Sequence, residues 1–99
     1  MDTYSVTTWI IKHGHEDDFI RAWRELADYT SRQMVSRKQP STLLRDRDQP
    51  NRFVSMAPWD SAATLRAWRA GPGFSERVHR MGEFLDELHP MTLDDVTRP

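Results

Sequence analysis

Residues 42–59 read TLLRDRDQPNRFVSMAPW, in which two runs of strand-forming residues flank a turn. The runs cover residues 42–47 and 52–59, and residues 48–51 between them, DQPN, are types that favour a tight turn. Between Phe53 and Trp59 neither side of the second run carries a charge, so neither side has the pattern of a face in contact with water. This stretch predicts a β-hairpin whose second strand is covered on both faces.

A second uncharged strand and a long helix are predicted nearer the N-terminus. Residues 4–11, YSVTTWII, are dense in β-branched and aromatic types, which is typical of a strand. From Glu16 to about Thr30 the apolar residues recur at helical spacing and form one stripe. Acidic residues crowd the first turn of this segment, where the helix dipole favours negative charge. We therefore expect a strand followed by an amphipathic helix.

The C-terminal half predicts two more helices and one more strand. Residues 62–70 form a short helix after an N-cap at Asp60 and Ser61. Residues 74–88 carry another helical stripe, and residues 91–97 are the expected last strand. The resulting order is strand, helix, strand, strand, helix pair, strand, which is that of a split βαβ unit. The predicted fold class is α+β: a ferredoxin-like βαββαβ sandwich with a four-stranded antiparallel sheet.

The composition excludes several classes of protein. A chain of 99 residues is long enough for one domain, residues 1–99, and its net charge of −1 argues against a nucleic-acid-binding surface. The absence of cysteine removes disulfides and thiolate chemistry. No apolar run is long enough to span a membrane, and the N-terminus does not resemble a signal peptide. We expect a cytoplasmic protein that binds neither nucleic acid nor a membrane.

The helices of such a sandwich cover only one face of the sheet. The opposite face also carries apolar residues, contributed by alternate positions of residues 4–11 and 52–59. A large uncovered apolar face is rare in a monomer, and a second copy of the same sheet would cover it with two-fold symmetry. We therefore expect a homodimer formed through the sheet faces, which is a dimeric α+β barrel.

Three stretches of the chain resemble the antibiotic biosynthesis monooxygenase family. They are TTWIIKHGHEDDFIRAWREL at residues 7–26, LLRDRDQPNRFVSMAPWDS at residues 43–61 and LRAWRAGPGFSERV at residues 65–78. The resemblance implies dimeric α+β barrels. It also implies two kinds of chemistry, because some members oxidise polycyclic phenols or anthrones to quinones with molecular oxygen and no prosthetic group, whereas others degrade haem.

The quinone-forming members resemble this chain at Trp59, which ends the third strand. Four residues earlier they carry an Asn, which is Ser55 here, and six residues later a Tyr, which is Leu65 here. An Arg in their last helix would fall near His79.

The haem-degrading members match this chain at Trp68 in the short helix. Their first-strand Asn is Thr7 here, and their axial His falls on Val78, one residue from His79. A step of one residue turns a helical side chain by roughly 100°.

His79 is the candidate catalytic residue. An imidazole with an ordinary pKa near 6.5 can take a phenolic or carbon-acid proton at neutral pH. The alternative is a histidine on the helix surface, beside Arg77 and Arg80.

The candidate substrate-binding residues lie on predicted apolar or buried faces: Trp59, Trp68, Thr7, Ser55 and Trp23. Aromatic rings can line a pocket for a flat ligand, and small hydroxyls can orient its carbonyl or phenol oxygen. The alternative is that the rings pack in the core and that the hydroxyls bond to backbone. His13 and His15 lack a carboxylate partner for a metal, so no metal site is expected. The basic residues Arg32, Arg37 and Lys38 could attract an anionic substrate.

The expected function is oxygenation of a small aromatic or polyketide-like substrate with molecular oxygen, without a cofactor, in an apolar pocket between sheet and helices. The first alternative is a dimeric module that binds a ligand or has a structural role without catalysis. The second alternative is a monooxygenase that binds or degrades haem.

Overall fold

Four antiparallel strands form one sheet in the computed structural model, which describes residues 2–34 and 40–97. The strands are β1 (Thr3–Ile11), β2 (Thr42–Arg45), β3 (Arg52–Trp59) and β4 (Leu85–Asp94), and their order across the sheet is β2-β3-β1-β4. The helices are α1 (Glu16–Gln33), α2 (Ala62–Ala70) and α3 (Pro72–Met81), followed by a 3₁₀ turn (Gly82–Phe84). The predicted α+β, ferredoxin-like fold is confirmed.

The two central strands, β1 and β3, decide which side chains meet the helices. They pair from Thr3 opposite Trp59 to Ile10 opposite Arg52. Successive side chains of a strand point to opposite faces, and paired residues share a face. The odd-numbered side chains of both strands include the buried Trp9 and Phe53, so this odd-numbered face is the one that the helices cover.

The segment after α3 differs from the prediction of a helix up to residue 88. The apolar spacing of Leu85 and Leu88 is helical, yet both residues belong to β4. The pairing register shifts here, because Ile10 pairs with Glu87 whereas Ile11 pairs with Leu85. The extra residue is a β-bulge, which returns Leu85 and Leu88 to the same face of the sheet despite their three-residue separation.

The last strand is therefore earlier and longer than the predicted residues 91–97. His89 and Pro90, which fall between the predicted helix and the predicted strand, lie within β4, and Pro90 pairs with Thr7. Because β4 is at the edge of the sheet, it is a strand in which a proline is tolerated.

The apolar stripe of α1 packs on the odd-numbered face. Phe19 is fully buried, and its ring centroid lies 5.2 Å from that of Trp9 and 5.0 Å from that of Phe53. A second buried cluster consists of Ala57, Trp59 and Leu65, where α2 meets β3. The core therefore joins the centre of the sheet to α1 and α2.

The opposite face of the sheet, which we call the outer face, is largely apolar, and none of the described helices covers it. Met56 and Met91 lie on either side of Val6, as their pairing shows. Large apolar side chains remain 37–49% exposed on the outer face: Leu44, Met56, Met91 and Leu93. These residues form a contiguous apolar surface.

Gly73, at the start of α3, allows Tyr29 of α1 to approach closely. A Cβ atom added at Gly73 would collide with the Tyr29 hydroxyl and would lie 2.7 Å from Cζ of that ring. We expect Gly73→Ala to lower the free energy of unfolding by about 1–3 kcal/mol, because the tyrosine must be displaced. The measurement is the urea-unfolding midpoint.

Gly82→Ala is the matched control for this prediction. At Gly82 the backbone has φ −55° and ψ −31°, and no atom of the described residues lies within 4 Å of an added Cβ. The same substitution should there leave stability unchanged or raise it by about 0.4–1 kcal/mol. Equal losses in both variants would contradict the role assigned to the Tyr29 contact.

Candidate functional site

A cavity of about 160 Å³ opens between the odd-numbered face of the sheet and the three helices. Its lining includes five of the residues selected from sequence: Trp59, Trp68, Thr7, Ser55 and Trp23. Strands β1 and β3 supply the floor, and the helices supply mostly apolar and aromatic walls. The structure therefore brings these five side chains together around one space.

Two serine hydroxyls on the floor each accept a hydrogen bond from a tryptophan of the neighbouring strand. Trp9 Nε1 donates to Ser55 Oγ at 2.9 Å, and Trp59 Nε1 donates to Ser5 Oγ at 3.0 Å. An indole can only donate, so each serine is fixed as the acceptor in its pair. Within residues 2–34 and 40–97, neither Oγ has a hydrogen-bond acceptor of its own. Each hydroxyl proton could therefore be donated to water or to a ligand in the cavity.

Thr7 completes a polar patch on this floor. It pairs directly with Ser55 and lies two residues from Ser5 on the same face of β1. Thr30 also lines the cavity, but its hydroxyl donates to the carbonyl oxygen of Leu26 at 2.8 Å and is already satisfied. We call Ser5, Thr7 and Ser55 the hydroxyl patch.

Trp68 is at the centre of an aromatic cluster that forms a wall of the cavity, although Tyr29 is not among the lining residues. Its ring centroid lies 5.5 Å from that of Tyr29 and 6.4 Å from those of Trp59 and Phe74. Such a wall offers a flat ring a large apolar contact area with few rotatable bonds to restrain.

Arg69 lines the cavity although it was not selected from sequence. Its guanidinium donates to Thr92 Oγ1 at 2.8 Å and to the carbonyl oxygen of Met91 at 3.2 Å. Burial lowers the pKa of the Arg69 guanidinium below its ordinary value, but an arginine remains charged at neutral pH. The spacing of Leu65 and Arg69, four residues apart on α2, places them on one helix face and could have revealed this residue.

His79, the candidate catalytic residue from sequence, lies outside the cavity. Its side chain is exposed on α3, and the preceding Val78 lines the cavity instead. One residue along a helix rotates the side chain by roughly 100°, so the turn that points Val78 inward points His79 toward solvent. Among the described lining residues there is no histidine and no carboxylate. The imidazole expected as a base is therefore not in contact with the cavity.

The cavity residues do not fit haem. The axial-histidine position of the haem-degrading members is Val78, and Thr7 stands where those members carry an Asn.

Two other features bear on the expected partners. In the part of the chain that the structure describes, no group of three or more His, Asp or Glu side chains could hold a metal ion. No helix there has the length and apolar character needed to cross a bilayer. Arg37 and Lys38, expected as a guide for anions, lie outside the described residues, and Arg32 is exposed near the end of α1.

Known proteins resemble this chain in fold and in sequence profile. The fold of this chain is similar to that of the N63A mutant of SnoaB from Streptomyces nogalater, a cofactor-independent oxygenase. The two share 23% identity with a TM-score of 0.83, and the match covers 96% of this chain and 93% of that one. A protein of Shewanella oneidensis has 22% identity and a TM-score of 0.79, with coverage of 93% and 88%. No curated protein matches the sequence. The profile described as antibiotic biosynthesis monooxygenase matches residues 4–80, and the chain therefore belongs to that family.

Proposed function

We propose that this protein is a monooxygenase that oxidises a small aromatic or polyketide-like substrate with molecular oxygen and needs no cofactor. The observation that carries the proposal is the pair of serine hydroxyls on the cavity floor, each braced by an indole and each with its proton available to a ligand. Family membership supplies the reaction type.

The hydroxyl patch would make the substrate more acidic by stabilising its anion. Loss of a proton from a phenol hydroxyl, or from a ring CH₂ conjugated to a ketone, gives an anion whose charge is shared between the oxygen and a ring carbon, and that carbon has carbanion character. Ser5 and Ser55, donating to that oxygen, bind the anion more strongly than the neutral substrate. Because no carboxylate or imidazole lines the cavity among the described residues, the proton passes to water at the open mouth.

The oxygen step follows from the carbanion itself. The carbanion reduces molecular oxygen and forms a carbon–oxygen bond, which gives a peroxide anion that takes up a proton. Loss of water from the hydroperoxide breaks the oxygen–oxygen bond and leaves a ketone or quinone. A CH₂ group and one O₂ thus become C=O and water, and the substrate supplies all the electrons. The protein contributes binding, orientation and exclusion of bulk water.

The cavity volume limits the size of the substrate. A protein cavity of roughly 150 Å³ lined by apolar residues binds benzene. The present cavity, at about 160 Å³, accommodates one ring or two fused rings, with any further part of the molecule at the open mouth.

We also propose that the protein is a homodimer in which two outer faces pack together. The support is the exposure of four large apolar side chains on that face and the absence of any described helix covering it. The helix-covered cavity would remain separate in each protomer.

Oxygen uptake tests the reaction. With 1-naphthol and with anthrone, the protein should consume one O₂ for each quinone formed, as measured with an oxygen electrode and absorbance. Ser55→Ala should lower kcat by about 10²-fold, because it removes one donor to the developing oxyanion. Ser5→Ala should have a similar effect.

Ser75→Ala is the matched control, because Ser75 is an exposed serine of α3 that does not line the cavity. It should leave the rate unchanged. Full activity in Ser5→Ala and Ser55→Ala would exclude the role given to these hydroxyls. Binding of naphthol without any oxygen uptake would favour the non-catalytic module.

A further inference from the structure

Arg69 reaches from α2 to the edge strand of the sheet at one end of the cavity. The hydroxyl that it contacts at 2.8 Å belongs to Thr92, and Thr92 is the direct pairing partner of Ser5. Paired residues in an antiparallel sheet have Cβ atoms roughly 4.5–5.5 Å apart. The guanidinium therefore lies beside the Ser5 end of the hydroxyl patch.

The charge of Arg69 has no counter-ion in the described part of the chain. No carboxylate comes within ion-pair distance of it, and both acceptors that it uses, Thr92 Oγ1 and the Met91 carbonyl, are neutral. The guanidinium is partly exposed at the cavity, and it has five N–H donors, of which these contacts use only some. A side chain that served only to fasten α2 to β4 would need no charge for these two bonds.

We propose that Arg69 selects substrates that carry a carboxylate. The carboxylate would pair with the guanidinium at the Ser5 end of the cavity, while the aromatic ring packs against Trp59 and Trp68. The substrate class is thus an aromatic or polyketide-like carboxylic acid. The inference takes its reaction from the proposed function, but the recognition itself is a binding property that can be measured without turnover.

Calorimetric titration with 1-naphthoate and 1-naphthamide tests this recognition, because the two probes have nearly the same shape and differ in charge. The unmodified protein should bind naphthoate at least about 10-fold more tightly than naphthamide. Arg69→Gln should weaken naphthoate binding by about 10–100-fold, as expected for loss of a charged hydrogen bond, and leave naphthamide binding unchanged. Arg69→Lys, which keeps the charge, should retain a preference for naphthoate.

The control is Arg66→Gln, which removes an exposed charge from the same helix and should not alter the binding of either probe. The inference fails if the unmodified protein does not prefer naphthoate. It also fails if Arg69→Gln weakens the binding of both probes equally, because a purely structural residue would have that effect. It fails as well if Arg66→Gln weakens naphthoate binding as much as Arg69→Gln does. Charge-selective binding of naphthoate, together with no oxygen uptake on 1-naphthol or anthrone, would reject the monooxygenase proposal and leave this inference standing.

Discussion

Phe19→Ala is expected to lower the free energy of unfolding by about 3–5 kcal/mol. Phe19 has no exposed surface, and its ring touches Trp9 of β1 and Phe53 of β3. Its removal therefore opens a hole where α1 meets both central strands, and these rigid aromatic neighbours cannot easily close it. Since a domain of this size is stable by roughly 5–15 kcal/mol, the loss is a large share of the total. Urea unfolding at one fixed protein concentration measures it.

Phe84→Ala is the control of the same residue type. Phe84 is half-buried at the edge of the core, where its ring stacks on that of His15 at 5.6 Å between centroids. The loss there should be about 1–2 kcal/mol, because much of the ring is already in contact with water. Similar losses for the two variants would mean that Phe19 is not the central packing residue.

Met91→Lys is expected to dissociate the proposed homodimer. Met91 lies beside Val6 on the outer face and is 43% exposed in the single chain. Two-fold symmetry would place the new lysine in the interface twice, and each charge would be buried without a partner. The dimer Kd should rise by at least about 10²-fold, as measured by analytical ultracentrifugation over a range of concentrations. Circular dichroism checks that the variant remains folded.

Val96→Lys provides the comparison for this experiment. Val96 is 82% exposed and follows the end of β4, so the same change in charge should not affect association. A sedimentation profile of the unmodified protein that shows only monomer at micromolar concentration would reject the dimer. Equal dissociation by the two lysine variants would reject the outer face as its interface.

The order of elements could be predicted because alternation and helical stripes are local properties of the sequence. The boundaries of β3 and α2 agree with the predicted residues 52–59 and 62–70. The start of β4 could not be predicted, because the bulge near Asp86 gives a strand the apolar spacing of a helix. A bulge depends on the partner strand, and a single segment of sequence does not contain that information.

The candidate site could be predicted only in part for a similar reason. Strand alternation placed Thr7, Ser55 and Trp59 on buried or apolar strand faces without saying which face the helices cover, and in the structure all three line the cavity. The indole–serine hydrogen bonds depend on the pairing register, which the sequence does not state. Whether His79 and Arg69 face the cavity depends on the rotation of their respective helices about the helix axis. A helix predicted one residue out of register moves a side chain from the cavity to solvent.

The Trp9–Ser55 and Trp59–Ser5 hydrogen bonds also make the proposed oxyanion donors depend on the register of the two central strands. Measured along β1, both bonds point toward the middle of the strand: one runs from Trp9 toward position 7 and the other from position 3 toward Ser5. If β1 slid along β3, both bonds would lengthen together in one direction and both would be crowded in the other. The two indole–serine bonds therefore favour the observed register of β1 and β3. A shift of that register would also displace the serine hydroxyls that are proposed to donate to the substrate.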